Sequence, residues 1–299
     1  MSSNNKPLVT GLIPSYNHAK YIKESIQSMI DQDYENMEMI IIDDGSSDNS
    51  IEIIESMIPL CKKRFKRFEF RHRENKGVSA TLNEGIMWSK GKYLSPLASD
   101  DIALSHKTSF LIDKIENSNY PAVFGDIKRI GERNDKEPNI KEFTIHTFDE
   151  IFTLQNRPFA PSSIYRIEAL KEIGGYPVNI AVEDWYMELK FTENNNKIVS
   201  YPEVLTYYRR HNKNTSKNYE LIYNNFIKIV DNYKNHKLYF KARKLCDIYL
   251  IKISLANNCL SPTLNMKIDK IISQAKKYSQ DYNKIAIYGN GTIYNLIKN

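Results

Sequence analysis

Two apolar runs in this chain end in adjacent carboxylates. Tyr93-Leu94-Ser95-Pro96-Leu97-Ala98-Ser99 leads into Asp100-Asp101, and Ile40-Ile41-Ile42 leads into Asp43-Asp44, followed by Gly45-Ser46-Ser47-Asp48. Like charges a few ångströms apart raise each other's proton affinity unless a cation or a ligand hydroxyl satisfies them. A divalent metal and a ligand site are therefore implied. In an open parallel sheet such residues converge on one crevice beyond the carboxyl ends of the strands. The bland alternative is that Asp100 and Asp101 cap a helix starting near Ser105; the repetition of the pattern at Asp43-Asp44 weighs against it.

The elements that would position these acids read clearly. Leu8 to Pro14 is a short apolar run stopped by proline, and Ser15-Tyr16-Asn17 turns at its end. Ile22, Ile26, Met29 and Ile30 share one face at helical spacing. Met37 to Ile42 predicts a second strand, a helix from Asp48 carries Ile51, Ile54 and Ile58, and Phe65 to Arg71 alternates as a third strand. A helix over Val78 to Trp88 and a strand over Lys92 to Leu97 follow. Strands alternating with helices of this length predict a doubly wound, mostly parallel α/β sheet. Right-handed crossovers would bring Pro14, Asp43 and Ser99 to one edge.

Four segments then carry a resemblance: Pro14-Ser15-Tyr16-Asn17, Asp43-Asp44-Gly45-Ser46-Ser47-Asp48, Asn75-Lys76-Gly77-Val78 through Gly85, and Ser99-Asp100-Asp101. In order and spacing they resemble the N-terminal motifs of family 2 glycosyltransferases with the GT-A fold. The likeness continues through Gly174-Gly175-Tyr176, Glu183-Asp184-Trp185 and Tyr208-Arg209-Arg210-His211, so it spans roughly Leu8 to Ser216. It implies an inverting enzyme that moves a sugar from a UDP-sugar donor to a hydroxyl of a glycan or lipid-linked oligosaccharide acceptor, in surface polysaccharide biosynthesis such as O-antigen or capsule.

A diphosphate leaving group gains charge as the glycosidic bond breaks, so such a site wants a metal Lewis acid, Mn²⁺ or Mg²⁺, held by one or two carboxylates. Asp101 fits that ligand role, and His211 would be a second metal or diphosphate ligand, because neutral imidazole suits Mn²⁺. The resemblance implies that Asp100 accepts bonds from the ribose hydroxyls and Asp44 from the uracil N3–H, while Asp43 orients its loop. Pro14, Tyr16 and Asn17 would face the base, with Tyr16 either stacking on it or lying in the core. Arg73, Lys76 and Gly77 would approach the uridine or the phosphates, with solvated charge as the other reading of Arg73 and Lys76. Asp184 would be the general base, or else a plain helix cap. Glu183 and Trp185 would face the acceptor, although Trp185 is equally a core residue.

Composition sets the outer limits. The chain has 299 residues with 41% hydrophobic content, enough for one large domain and an appendage. No run approaches the ~20 apolar residues of a membrane span, and Met1 to Thr10 lacks a signal peptide's apolar region, which argues for the cytoplasm. Cys61, Cys246 and Cys259 form no C-x-x-C pair. The net charge of +6 hides a split: Met1 to Val204 carries 25 Lys and Arg against 31 Asp and Glu, whereas Leu205 to Asn299 carries 17 against 5. With no nucleic-acid-binding signature present, the basic part predicts either contact with an anionic membrane surface, placing the protein peripherally on the cytoplasmic face of the inner membrane, or a solvated face.

The expected layout is a catalytic domain over 1–216, a basic helical extension over 217–282, and a closing segment over 283–299. Helical periods cover Tyr219 to Tyr233, Leu238 to Leu255 and Met266 to Tyr278. Lys284 to Ile293 resembles a strand entering the Gly-x-Gly turn of a dinucleotide fold, but a βαβ unit needs about thirty residues, so no bound dinucleotide is expected. Either the chain is cut from a longer one or the strand is an orphan. Two other functions remain open. A nucleotidyl or phosphoryl transferase would want a Gly-rich phosphate loop, and Pro14 to Lys20 has no glycine. A non-catalytic nucleotide-sugar-binding module would bind without turnover.

Overall fold

The computed structural model describes residues 6–131, 140–212, 214, 218–256, 288–289 and 292–293. The first half alternates strand and helix as the periods predict: β1 (Val9–Ser15), α1 (Ile22–Ile30), β2 (Met37–Asp43), α2 (Ser50–Arg64), β3 (Phe68–His72), α3 (Val78–Trp88) and β4 (Tyr93–Pro96). Then come β5 (Ile102–Ala103), α4 (Lys107–Glu116), β6 (Ala122–Gly131), β7 (Thr144–His146), α5 (Phe148–Phe152), β8 (Ser163–Arg166), α6 (Ile167–Glu172), α7 (Glu183–Thr192) and β9 (Ile198–Arg210). Two helices follow, α8 (Tyr219–Asp231) and α9 (Tyr239–Ala256).

The nine-stranded sheet runs β3-β2-β1-β4-β8-β6-β9-β5, with β7 also paired to β9. β1, β2, β3 and β4 are mutually parallel. β8 is antiparallel to both β4 and β6, and β6 is parallel to β9, so β6 and β9 point the same way as the first four strands. The mostly parallel α/β architecture expected from the sequence is the one observed. Its consequence is geometric, because the carboxyl ends of β1, β2, β3, β4, β6 and β9 all lie along one edge.

Every residue of β2 is buried, as a central parallel strand covered on both faces requires. Alternate side chains divide between the layers. Val9, Ile13, Met37, Met39 and Ile41 join Ile22, Ile26 and Met29 of α1, Ile54 and Met57 of α2, and Leu111 and Ile115 of α4 in one core. Leu12 faces the other way, against α3, where a Cβ added at Gly85 would meet its side chain at 2.6 Å. Helices on both faces hold the strands in register and leave only the loops at the edge for a ligand.

The chain divides into two compact units, Met1–Leu245 and Cys246–Asn299. α8 and the start of α9 therefore count with the sheet, where Phe226 of α8 meets the Trp185 ring at 4.5 Å between centroids. In the second unit, β10 (Tyr288–Gly289) pairs antiparallel with β11 (Thr292–Ile293). The helix expected over Met266 to Tyr278 lies outside the described residues. Among the described residues, no helix is long and apolar enough to cross a membrane.

Candidate functional site

Four loops leave the shared edge, and their side chains tie them to one another. After β1, Asn17 adopts a left-handed φ of 53° and its Oδ1 accepts Ser47 N at 2.8 Å, while Asn17 N donates to Ser46 Oγ at 2.8 Å. After β2, the buried Asp43 accepts Ser15 Oγ at 2.9 Å and Ser46 N at 2.7 Å, so it orients its own loop as the sequence implied. Gly45 sits at φ 80°, and a Cβ there would come within 2.9 Å of Asn75 N, so only glycine lets the next loop close over it.

Asp44 is the hub. Its Oδ1 accepts Lys76 N at 2.8 Å and its Oδ2 accepts Gly77 N at 2.8 Å, and Arg73 is ion-paired to the same carboxylate. Arg73 also reaches Glu84 at 3.0 Å and Thr81 Oγ1 at 3.0 Å. The guanidinium is thus a clamp between the loop and α3 rather than a hand extended to a ligand. Tyr16 is 48% exposed at the same edge, which sets aside the core reading and leaves its ring face open for stacking.

The acid pair after β4 separates into two environments. Asp100 Oδ2 lies 2.9 Å from His211 Nε2, 3.9 Å from His18 Nε2 and 3.2 Å from Asn214 Nδ2. One ligand atom from each of His18, Asp100 and His211 falls within 4.8 Å of the others, so these three could hold a metal ion. His18 Nδ1 is engaged by Ser99 Oγ at 2.7 Å, a contact that aims its other nitrogen at the cluster. The His211 ring stacks on Tyr21 at 5.0 Å, and the Arg209 guanidinium lies over the Tyr21 ring at 4.9 Å.

Asp101 turns the other way. Its Oδ1 accepts Arg209 N at 2.8 Å, and its Oδ2 is buried with no hydrogen-bond partner among the described residues. Burial, and then the charge of Asp100, raise its carboxyl well above the usual range. Behind it lies the fully buried Lys107, whose Nζ donates to Pro96 O at 3.1 Å and Pro161 O at 2.9 Å. Burial pulls this lysine down to about 7, against the attraction of Asp101. The sequence places the metal on Asp101 and the ribose on Asp100, whereas the structure aims Asp100 at the imidazoles. The cause is the pairing of β5 with β9, which brings Ile102 opposite Tyr207 and turns Asp101 toward the β9 backbone.

The acceptor-side residues gather at the start of α7. Gly175, at φ 73°, precedes Tyr176, whose N donates to Asn83 Oδ1 at 2.7 Å and whose O accepts Asn83 Nδ2 at 2.8 Å, fastening this loop to α3. Asp184 is not the cap residue, which is Val182; its Oδ1 accepts the neighbouring Trp185 N at 2.7 Å. Its Oδ2 lies 3.2 Å from Arg157 Nη2, and its side chain is 39% exposed. Burial, and then the charge of Asp184, push Glu183 up to about 8. Trp185 is fully buried, donating to Ile151 O at 3.0 Å, so the structure puts it in the core rather than against an acceptor sugar. Its helical position turns it inward while Asp184, one residue earlier, faces out.

Sequence reasoning missed His18, Asn214, Arg157 and Glu188. His18 stands one residue after the first motif and Glu188 one helical turn after Asp184, so spacing offered a signal for both. Arg157 lies in an irregular segment 27 positions before Asp184 and offered none.

A model described as Glycosyl transferase family 2 matches residues 11–174, more than half of the chain. The chain belongs to glycosyltransferase family 2. An uncharacterized glycosyltransferase of Rickettsia bellii is 32% identical over 174 residues, covering 58% of this chain and 24% of that protein. Glycosyltransferase GlyG of Streptococcus pneumoniae is 34% identical over 120 residues, covering 40% of this chain and 38% of that one. The chain thus spans about a quarter to two fifths of these relatives' lengths. Among solved structures, S. aureus TarS 1–349 in complex with UDP-GlcNAc superposes with a TM-score of 0.63 at 20% identity, over 83% of this chain and 72% of that one. A Pyrobaculum calidifontis mannosyltransferase in complex with GDP-Man and Mn²⁺ gives 0.63 at 12% identity, over 93% and 81%. At such identities the likeness bears on the fold, which it supports as GT-A.

Proposed function

We propose that this family 2 member is an inverting, metal-dependent transferase that moves a sugar from a UDP-sugar to a hydroxyl of a glycan or lipid-linked oligosaccharide, in surface polysaccharide synthesis. The observation that carries the reading is the meeting of His18, Asp100 and His211 at the edge where Tyr16 and Asp44 also stand. Two imidazoles and a carboxylate suit Mn²⁺ better than Mg²⁺, which prefers oxygen ligands. Asp101 Oδ2, buried and with no hydrogen-bond partner among the described residues, is the second oxygen the acid pair has to offer. A bound ion would supply positive charge to the diphosphate as it leaves.

The chain's own residues do the rest. Tyr16 stacks on the base, and Asp44 accepts the uracil N3–H through a lone pair left by its backbone bonds. Lys76 and Gly77, held by Asp44, line the uridine side. Asp184 takes the proton of the acceptor hydroxyl as the new bond forms on the face opposite the leaving group. Glu183 adjoins it on the acceptor side. TarS solved with UDP-GlcNAc and with UDP supports a uridine donor for a chain of this fold. The test is UDP release from UDP-glucose, UDP-galactose and UDP-GlcNAc with Mn²⁺ and with EDTA. Release that needs Mn²⁺ and gives a β-linked product from an α-linked donor supports the reading. Binding of these donors without any release would leave a nucleotide-sugar-binding module in its place.

A further inference from the structure

Three carboxylates and one guanidinium meet at α7. Asp184 and Glu188 are one helical turn apart and so share a face. Glu188 is buried, and Arg157 grips it with two bonds, Nε to Oε2 at 2.7 Å and Nη2 to Oε1 at 3.1 Å. The same Nη2 reaches Asp184 Oδ2 at 3.2 Å. A guanidinium is a planar fork, so two bonds to an immobile carboxylate fix where its remaining edge points. Here that edge points at Asp184.

We propose that Arg157, locked by the buried Glu188, is the positioning residue for the carboxylate of Asp184. This rests on the reading of Asp184 as the base. Both oxygens of Asp184 are then anchored, Oδ1 by Trp185 N and Oδ2 by Arg157, leaving one lone pair of each for an incoming hydroxyl. A base held in one orientation loses less freedom on reaching the transition state. The side chain is 39% exposed, and among the described residues Trp185 N and Arg157 are its hydrogen-bond partners.

The neighbours of Asp184 are buried more deeply than it is. The charged and titratable groups around Asp184 are Glu183 and Glu188 on α7, Arg157 from the segment before β8, Tyr165 of β8, and Tyr176 from the loop before α7. Burial pushes Glu183 up to about 8 and, against the pull of Arg157, Glu188 up to about 7. Burial likewise raises both tyrosines, which stay neutral. Asp184 is the most water-accessible of the carboxylates that Arg157 touches.

The experiment compares Arg157→Gln, Arg157→Lys and Glu188→Gln with the wild type in Mn²⁺-dependent UDP release. There Arg157→Gln should lose about 10- to 100-fold in kcat with donor KM unchanged, and Arg157→Lys should recover only part of it. Glu188→Gln should fall between them, because the fork loses its charged anchor.

An unchanged kcat in Arg157→Gln, or kcat and donor affinity lost together, would overturn the proposal. If Asp184→Asn keeps wild-type release, the base assignment has failed. If Asp184→Asn is inactive while Arg157→Gln is fully active, the base stands and the positioning role has failed. Thermal unfolding of each variant separates these outcomes from loss of fold.

Discussion

The donor edge and the start of α7 are built on different principles. At the donor edge each loop is fastened to the next: Asn17 to Ser47, Asp43 to Ser46, and Asp44 to Lys76 and Gly77. Asp44 has a side chain only 6% exposed, and several bonds share the task of holding it. Asp184 is 39% exposed and depends on one backbone N–H and one arginine. A cradle that must fit one nucleotide gains from redundancy, whereas a base that must meet a mobile hydroxyl needs exposure and a single firm support. Damage at the first region should therefore appear as lost stability and binding, and at the second as lost rate.

The largest test of that contrast is Asp184→Asn. The substitution keeps volume and the bond from Trp185 N but cannot take a proton, so UDP release or transfer should fall ~10²–10⁴-fold while donor binding persists. A variant with wild-type turnover would erase the contrast at its catalytic end. Asp44→Ala should act oppositely, costing about 3 kcal/mol of stability in urea unfolding, because it strands two backbone N–H groups and leaves Arg73 with one of its two carboxylate partners. If the variant unfolds like the wild type, the loops are not interlocked as described.

His211→Ala sharpens the donor side further. With UDP and Mn²⁺ at a hundred times the dissociation constant, bound ligand adds about 2.7 kcal/mol of stability, and the variant should lose most of it. Thermal shift with and without EDTA reads the difference; an undiminished, EDTA-sensitive shift would move the metal off this cluster. Trp185→Phe is a smaller effect at α7, about 1–2 kcal/mol from the lost bond to Ile151 O, with acceptor KM unchanged. A raised acceptor KM alone would return Trp185 to the acceptor site. The smallest effect concerns the basic C-terminal part, where each Lys or Arg near an anionic surface adds ~1 kcal/mol. Co-sedimentation with vesicles should strengthen with anionic lipid and weaken with salt, and indifference to both would leave a solvated face.

The periods of apolar residues determined the first half of this protein almost residue by residue. Met37 to Ile42 as a strand and Val78 to Trp88 as a helix follow from local spacing, and local spacing is what sets backbone hydrogen bonding. Right-handed crossovers then put Pro14, Asp43 and Ser99 at one edge. The sequence did not decide which way a side chain turns at that edge. Asp100 meets His211, and Asp101 meets Arg209 N, because β5 pairs with β9 across more than a hundred positions of chain. His18, Arg157 and the burial of Trp185 depend likewise on contacts between distant segments. Spacing along one element carries no trace of such partners, since they are chosen by how the elements pack.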